Sequence, residues 1–219
     1  MAFAEPRYSR AERIADACVH CLGVAASLAA MAVLVVLARR HLPAASAGSL
    51  TVYGISAVAM FAFSAAYNMI GRPHWKEVLR HCDHSAIFVM IAGTYTPLAL
   101  ITIGGIWGFA LLASVWTIAI AGIGLKLLSP RRFDRISLGL YLVQGWAVLA
   151  AIGPLTSAVS TRVMALLAIG GALYTIGVVF HLWRGLPYQN AIWHLFVLSA
   201  AALHYVAIVD AVAPGFSQV

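Results

Sequence analysis

Charge is what this chain has least of: among 219 residues only 14 are Lys or Arg and only 7 are Asp or Glu. A soluble domain carries about 25% charged residues, so the 10% found here excludes one. Cysteine is also scarce. Three thiols cannot pair off evenly, and Cys18, Cys21 and Cys82 all fall on or near the side assigned below to the cytoplasm, where thiols stay reduced, so no disulfide framework is expected. No glycine-rich phosphate loop, nucleophile elbow or redox-cofactor signature occurs, which removes kinase, serine hydrolase and flavoprotein readings. What the chain has in abundance is apolar surface: 63% of residues are hydrophobic and the mean hydropathy is +0.92. Such a chain belongs in lipid.

A transmembrane helix needs about 20 mostly apolar residues. Uncharged runs near that length occur at 17–38, 49–70, 85–103, 106–125, 136–153, 163–180 and 191–209. Their continuous apolarity differs from the alternating pattern of barrel strands. The sequence therefore predicts an all-α membrane protein, a seven-transmembrane helix bundle in one domain. Orientation follows from Lys and Arg, which stay cytoplasmic in short loops. Arg7, Arg10, Arg13, Arg72, Lys76, Arg80, Lys126, Arg131, Arg132, Arg135 and Arg184 fall on one side, against Arg39, Arg40 and Arg162 on the other. The N-terminus is thus expected in the cytoplasm and the C-terminus outside, with the first run an uncleaved anchor that Glu12 and Asp16 lead into. The formal charge of +7 describes a basic rim meeting anionic head groups. Membrane lipids are the expected partners; a nucleic-acid partner is not.

Depth gathers the few polar side chains. The second run travels toward the cytoplasm, so Ser64 and Asn68, four apart on one helical face, approach that surface. Asp83 stands at the start of the third run, and Asn190 with His194, again four apart, opens the seventh. A hydroxyl, two amides, a carboxylate and an imidazole thus reach one level of the membrane, where hydrocarbon satisfies none of them. Asp83 either faces this group or pairs at the surface with Arg80 or His84. His20 in the first run and His204, ten residues beyond His194, are placed outside the shell of His194 and free to approach each other near mid-membrane. Each is read as a neutral imidazole satisfied by a neighbouring helix, with a proton-responsive contact as the sharper alternative. Cys18 and Cys21 beside His20 have the shape of a metal-ligand cluster, but small polarizable cysteines are common in packed helices and packing is the preferred reading. Pro97 should kink the third run, with Thr94 and Thr96 offering hydroxyls to the freed carbonyls.

Several blocks in order carry a more specific signal: Glu12 to His20 with Gly23, Ser64 to Tyr67, Asp83 to Phe88, Ile91 to Pro97, Tyr141 to Trp146, and Ala191 to His194 continuing to His204. They resemble the bacterial hemolysin III family, within the progestin and adipoQ receptor group that includes the adiponectin receptors. The resemblance implies a seven-helix bundle in a bacterial plasma (inner) membrane. It also implies a zinc site built from one histidine on the second span and two on the seventh, with an Asp on the third span bonded to the metal's water. Asp83 and His194 match that pattern. Asn68 and Asn190 stand where the other two histidines would be, and a neutral amide oxygen is a weak donor for zinc.

Two function classes follow. In the first, the protein senses or binds lipid in membrane homeostasis, without a cofactor, through a polar network of Ser64, Asn68, Asp83, Asn190 and His194. In the second, it is a metal-dependent intramembrane hydrolase of lipid amides, ceramidase-like. Zinc would then sit on His194 with Asn68 and Asn190 at the implied ligand positions, and Asp83 and Ser64 would be the catalytic candidates. A hard cation on Asp83, Asn68 and Asn190 is a variant of the second class. A pore draws no support, since no run shows a repeated charged face.

Overall fold

The computed structural model describes residues 8–128 and 134–216. Arg7, Arg131 and Arg132, counted in the charge bias, lie outside the described residues. All regular structure among the described residues is helical. Helix α1 spans Arg10–His41, α2 Ala44–Met69, α3 Pro73–Pro97, α4 Gly105–Leu128, α5 Asp134–Gly145, α6 Ile152–Ala158, α7 Thr161–Leu182 and α8 Gln189–Phe216. Among the described residues seven helical segments are long and apolar enough to cross a membrane, with α5 and α6 together making the fifth as Ile136–Ala158. The first helix begins well before the apolar run at 17–38, because a capping box starts it at Ser9: the Ser9 N–H donates to Glu12 Oε2 at 2.7 Å and the Glu12 N–H to Ser9 Oγ at 3.2 Å.

Burial is inverted relative to a soluble protein. Ile106, Ile120 and Leu128 are 80%, 68% and 82% exposed, a surface suited to hydrocarbon. Inside, one core of Leu34, Leu50, Tyr53, Phe61, Met90 and Ile208 joins α1, α2, α3 and α8. A second, of Phe88, Tyr95, Leu111, Val115, Ala119 and Ala151, joins α3 and α4 to the fifth span. Gly122 makes the second core possible: a Cβ there would fall on the Phe88 ring.

Polar groups in this bundle serve breaks in the backbone. At Pro97 the α-helix gives way to a π-helical turn, Leu98–Ile103; the Thr94 and Thr96 hydroxyls donate at 2.8 Å to the Met90 and Ala92 carbonyls one turn back, not to the Gly93 carbonyl that the proline deprives of an N–H. The fifth span is broken between α5 and α6 by a 3₁₀ segment, Ala147–Ala151. The Tyr95 hydroxyl repairs that break, donating to the Gly145 carbonyl at 2.6 Å and accepting from the Val148 N–H at 3.0 Å. Gln144, fully buried, donates to the carbonyls of Phe88 and Val115 at 3.1 and 3.0 Å and so pins α5 to α3 and α4. At the end of the bundle away from the N-terminus, Arg162 pairs with Asp210 at 3.2 Å.

Candidate functional site

The site is assembled where α1 and α8 begin. Glu12, the capping-box carboxylate, uses its second oxygen to accept from the Tyr188 N–H at 2.9 Å. Tyr188 sits just before α8 in a left-handed conformation, φ 57°, which turns that N–H toward α1. The Tyr8 hydroxyl donates to Gln189 Oε1 at 3.3 Å, a second tie between the same segments. With the two helix starts fixed together, helical spacing does the rest. Glu12, Asp16 and His20 lie four apart on one face of α1, Asn190 and His194 four apart on α8, and Ser64 and Asn68 four apart at the end of α2. The three stripes converge.

Asp16 is the centre of the convergence. It is buried, although the sequence placed it as a polar lead-in to the first span. Its Oδ1 lies 2.6 Å from His194 Nδ1, and its Oδ2 accepts from the Asn190 amide at 2.9 Å. The same Asn190 nitrogen donates to Asn68 Oδ1 at 3.2 Å, and the Asn68 amide donates to the Ser64 carbonyl at 2.9 Å. Asp83, part-buried on α3, takes a hydrogen bond from the Ser64 side chain and lies within electrostatic range of His194, His20 and Lys76. Four helices therefore contribute to one polar cluster.

His20 corrects the sequence reading. It was placed outside the shell of His194, yet the two rings pack with centroids 4.3 Å apart. The reason is lateral: α1 lies directly against α8, so similar depth becomes contact. His20 and His204 do not meet. His204 bonds the Leu167 carbonyl at 3.2 Å and packs edge-on to Tyr174, as a satisfied core histidine would. Cys18 and Cys21, on either side of His20, are exposed and take no part.

Metal-binding capacity can be tested residue by residue. At positions 68 and 190 the fit is poor, because the two amides are committed to each other, to Asp16 and to the Ser64 carbonyl. Asp16, His20 and His194 are different: each offers a ligand atom, and these atoms all lie within 4.8 Å of one another. His20 Nε2 is buried without a well-formed hydrogen bond, and its neighbour Asp16 Oδ2 is 3.5 Å away. A buried imidazole nitrogen left without a partner beside a carboxylate is a donor set suited to a borderline-soft cation. Sequence reasoning missed Asp16; its signal was an acid one turn before an intramembrane histidine, on the face that also carries the helix cap.

Comparison with known proteins places this geometry in a family. Residues 9–205 match the family described as Haemolysin-III related. Hemolysin-3 of Bacillus cereus is 40% identical over 203 residues, 93% of each chain. The Hemolysin-3 homolog of Bacillus subtilis (strain 168) is 38% identical over 197 residues, 90% of this chain and 92% of the relative. The human Monocyte to macrophage differentiation factor is 31% identical over 163 residues, 72% of this chain and 67% of its own. No solved structure matches. The chain belongs to the haemolysin-III-related family of multi-pass membrane proteins, related to the progestin and adipoQ receptor group.

Proposed function

We propose that this haemolysin-III-related protein resides in a bacterial plasma (inner) membrane, N-terminus in the cytoplasm, and acts in lipid sensing or membrane homeostasis by binding a lipid through its polar head group. The observation that carries the reading is the cluster of Asp16, His20, Ser64, Asn68, Asp83, Asn190 and His194, drawn from four helices. The amides at 68 and 190 carry both donors and acceptors, which a head group of mixed polarity could take in exchange for their bonds to each other, to Asp16 and to the Ser64 carbonyl. The basic residues at the same end of the helices, Arg10, Arg13, Arg72, Arg80 and Arg184 among them, favour anionic lipid there. Native mass spectrometry of the protein released from detergent tests this. Bound lipid should be retained by the parent and lost on His194→Ala; equal retention by both would refute head-group binding at this site.

A second reading, hydrolysis of a lipid amide, is favoured by one observation, the convergence of Asp16, His20 and His194. A metal ion held there supplies Lewis-acid polarisation and activates water. In that case Asp83 with Ser64 would stand as the catalytic candidates, the hydroxyl already bonded to the carboxyl. Release of fatty acid from a ceramide-type substrate by the purified, metal-loaded protein is the assay, and an absence of turnover removes the reading. A lytic pore, which the names of the two Bacillus relatives suggest, draws nothing from these helices.

A further inference from the structure

We propose that Asp16, His20 and His194 form a binding site for a divalent transition metal ion of the zinc type, with its protein ligands drawn from α1 and α8 rather than from positions 68 and 190. The inference goes beyond the lipid reading and does not depend on it. Three features of the geometry support it together. The ligand atoms of the three residues lie within 4.8 Å of one another, close enough for one ion to reach all three with little movement. His20 is 2% exposed and its Nε2 has no well-formed hydrogen bond, in a setting where an unsatisfied buried nitrogen is costly. The His20 and His194 rings, 4.3 Å apart between centroids, border the same Asp16 carboxylate, with Oδ1 at His194 and Oδ2 at His20.

Charge and support point the same way. Two neutral imidazoles and one carboxylate around a dication leave one net positive charge, and the Asp83 carboxyl lies within electrostatic range of both histidines. Asn190 holds Asp16 Oδ2 at 2.9 Å and is itself fixed to Asn68, an outer layer that orients the carboxylate. Two imidazole nitrogens and a carboxylate oxygen suit zinc and its transition-metal neighbours better than calcium or magnesium, which take oxygen ligands.

The experiment uses tag-free full-length protein in detergent, stripped with chelator, dialysed against zinc chloride and washed. Elemental analysis should find equimolar zinc, and the melting temperature should rise on zinc loading. His20→Ala should lose the metal. Asn190→Ala should weaken zinc binding about 10–100-fold, as expected for loss of an orienting neighbour. Should His20→Ala fail to fold, cobalt(II) loading of the unaltered protein decides instead: visible bands of a low-symmetry, imidazole-ligated site are expected. No zinc after loading, full zinc in folded His20→Ala, or a cobalt spectrum identical to cobalt in buffer would each overturn the site. Lipid retention is read separately by mass, so failure here leaves the head-group reading standing or falling on its own result.

Discussion

Helix α8 carries two histidines, His194 and His204, ten residues apart, and the bundle treats them in opposite ways. His204 is closed off: its Nε2 faces the Leu167 carbonyl at 3.2 Å, Tyr174 covers its ring, and Gly170 leaves just enough room for it. His194 faces side chains instead, with Asp16 at 2.6 Å and the His20 ring against its own. A histidine that bonds a backbone carbonyl locks two helices and has nothing further to offer. One that bonds a carboxylate shared with the Asn190 amide, and packs on a second imidazole with an unpaired nitrogen, retains binding capacity. The difference separates polar residues that hold this bundle together from those available for chemistry.

The sharpest way to break the comparison is to remove the carboxylate that gives the His194 site its character. Asp16→Leu removes the acceptor of His194 Nδ1 and one of the two acceptors of the Asn190 amide, both part-buried, at a cost of about 3 kcal/mol for the two together. A marked fall in melting temperature in detergent, together with loss of any zinc-induced rise, is expected. An unchanged melting curve would mean that Asp16 is solvated, and the two histidine environments would no longer differ in kind.

The His204 site answers to packing instead. In Gly170→Ala the new Cβ would fall on the imidazole, 2.6 Å from Nε2 and closer still to Cδ2, in a contact the α7–α8 interface can relieve only by shifting. Overpacking of this sort costs about 1–3 kcal/mol. Lower thermal stability with undiminished zinc and lipid binding is the expected result. If binding at the His194 end fell in parallel, the two sites would be one coupled unit.

How much of this was legible in the sequence depends on which dimension is asked about. Proximity along the chain direction was readable, because helical rise and apolar run length order residues along a span, and Ser64, Asn68, Asp83, Asn190 and His194 lie near one another. Lateral adjacency was not. The spacing of Asp16, His20 and Ser27 along α1 marks a polar inward face, but nothing in that period states that the face turns toward α8 rather than another helix. Reading the first span as 17–38 also cut off the capped turns that carry Asp16, because a rule that stops at charge cannot tell an inward-facing acid from a surface one. The break in the fifth span was hidden for a related reason: the 3₁₀ segment Ala147–Ala151 is as apolar as a helix, and what permits it is Tyr95, distant in sequence.

The smallest expected effect tests why the two histidine sites differ at all. His204 is positioned by the α7–α8 contact alone, whereas His194 meets Asp16 only while α1 and α8 start in register, and Glu12 ties those starts by accepting from Ser9 and Tyr188. Glu12 is exposed to solvent on its carboxylate side, so Glu12→Ala should change global stability little. Its effect should be local. The amide of Tyr188, which donates to Glu12 at 2.9 Å, should exchange with deuterium faster, and exchange should spread into the first turns of α8 around Asn190 while the turns around His204 keep their protection. Faster exchange at both levels would show that α8 moves as a rigid rod and that its interface with α7 sets both sites. Exchange unchanged at Tyr188 would remove the cap as the clasp, leaving the Asp16 contacts themselves to hold α1 against α8.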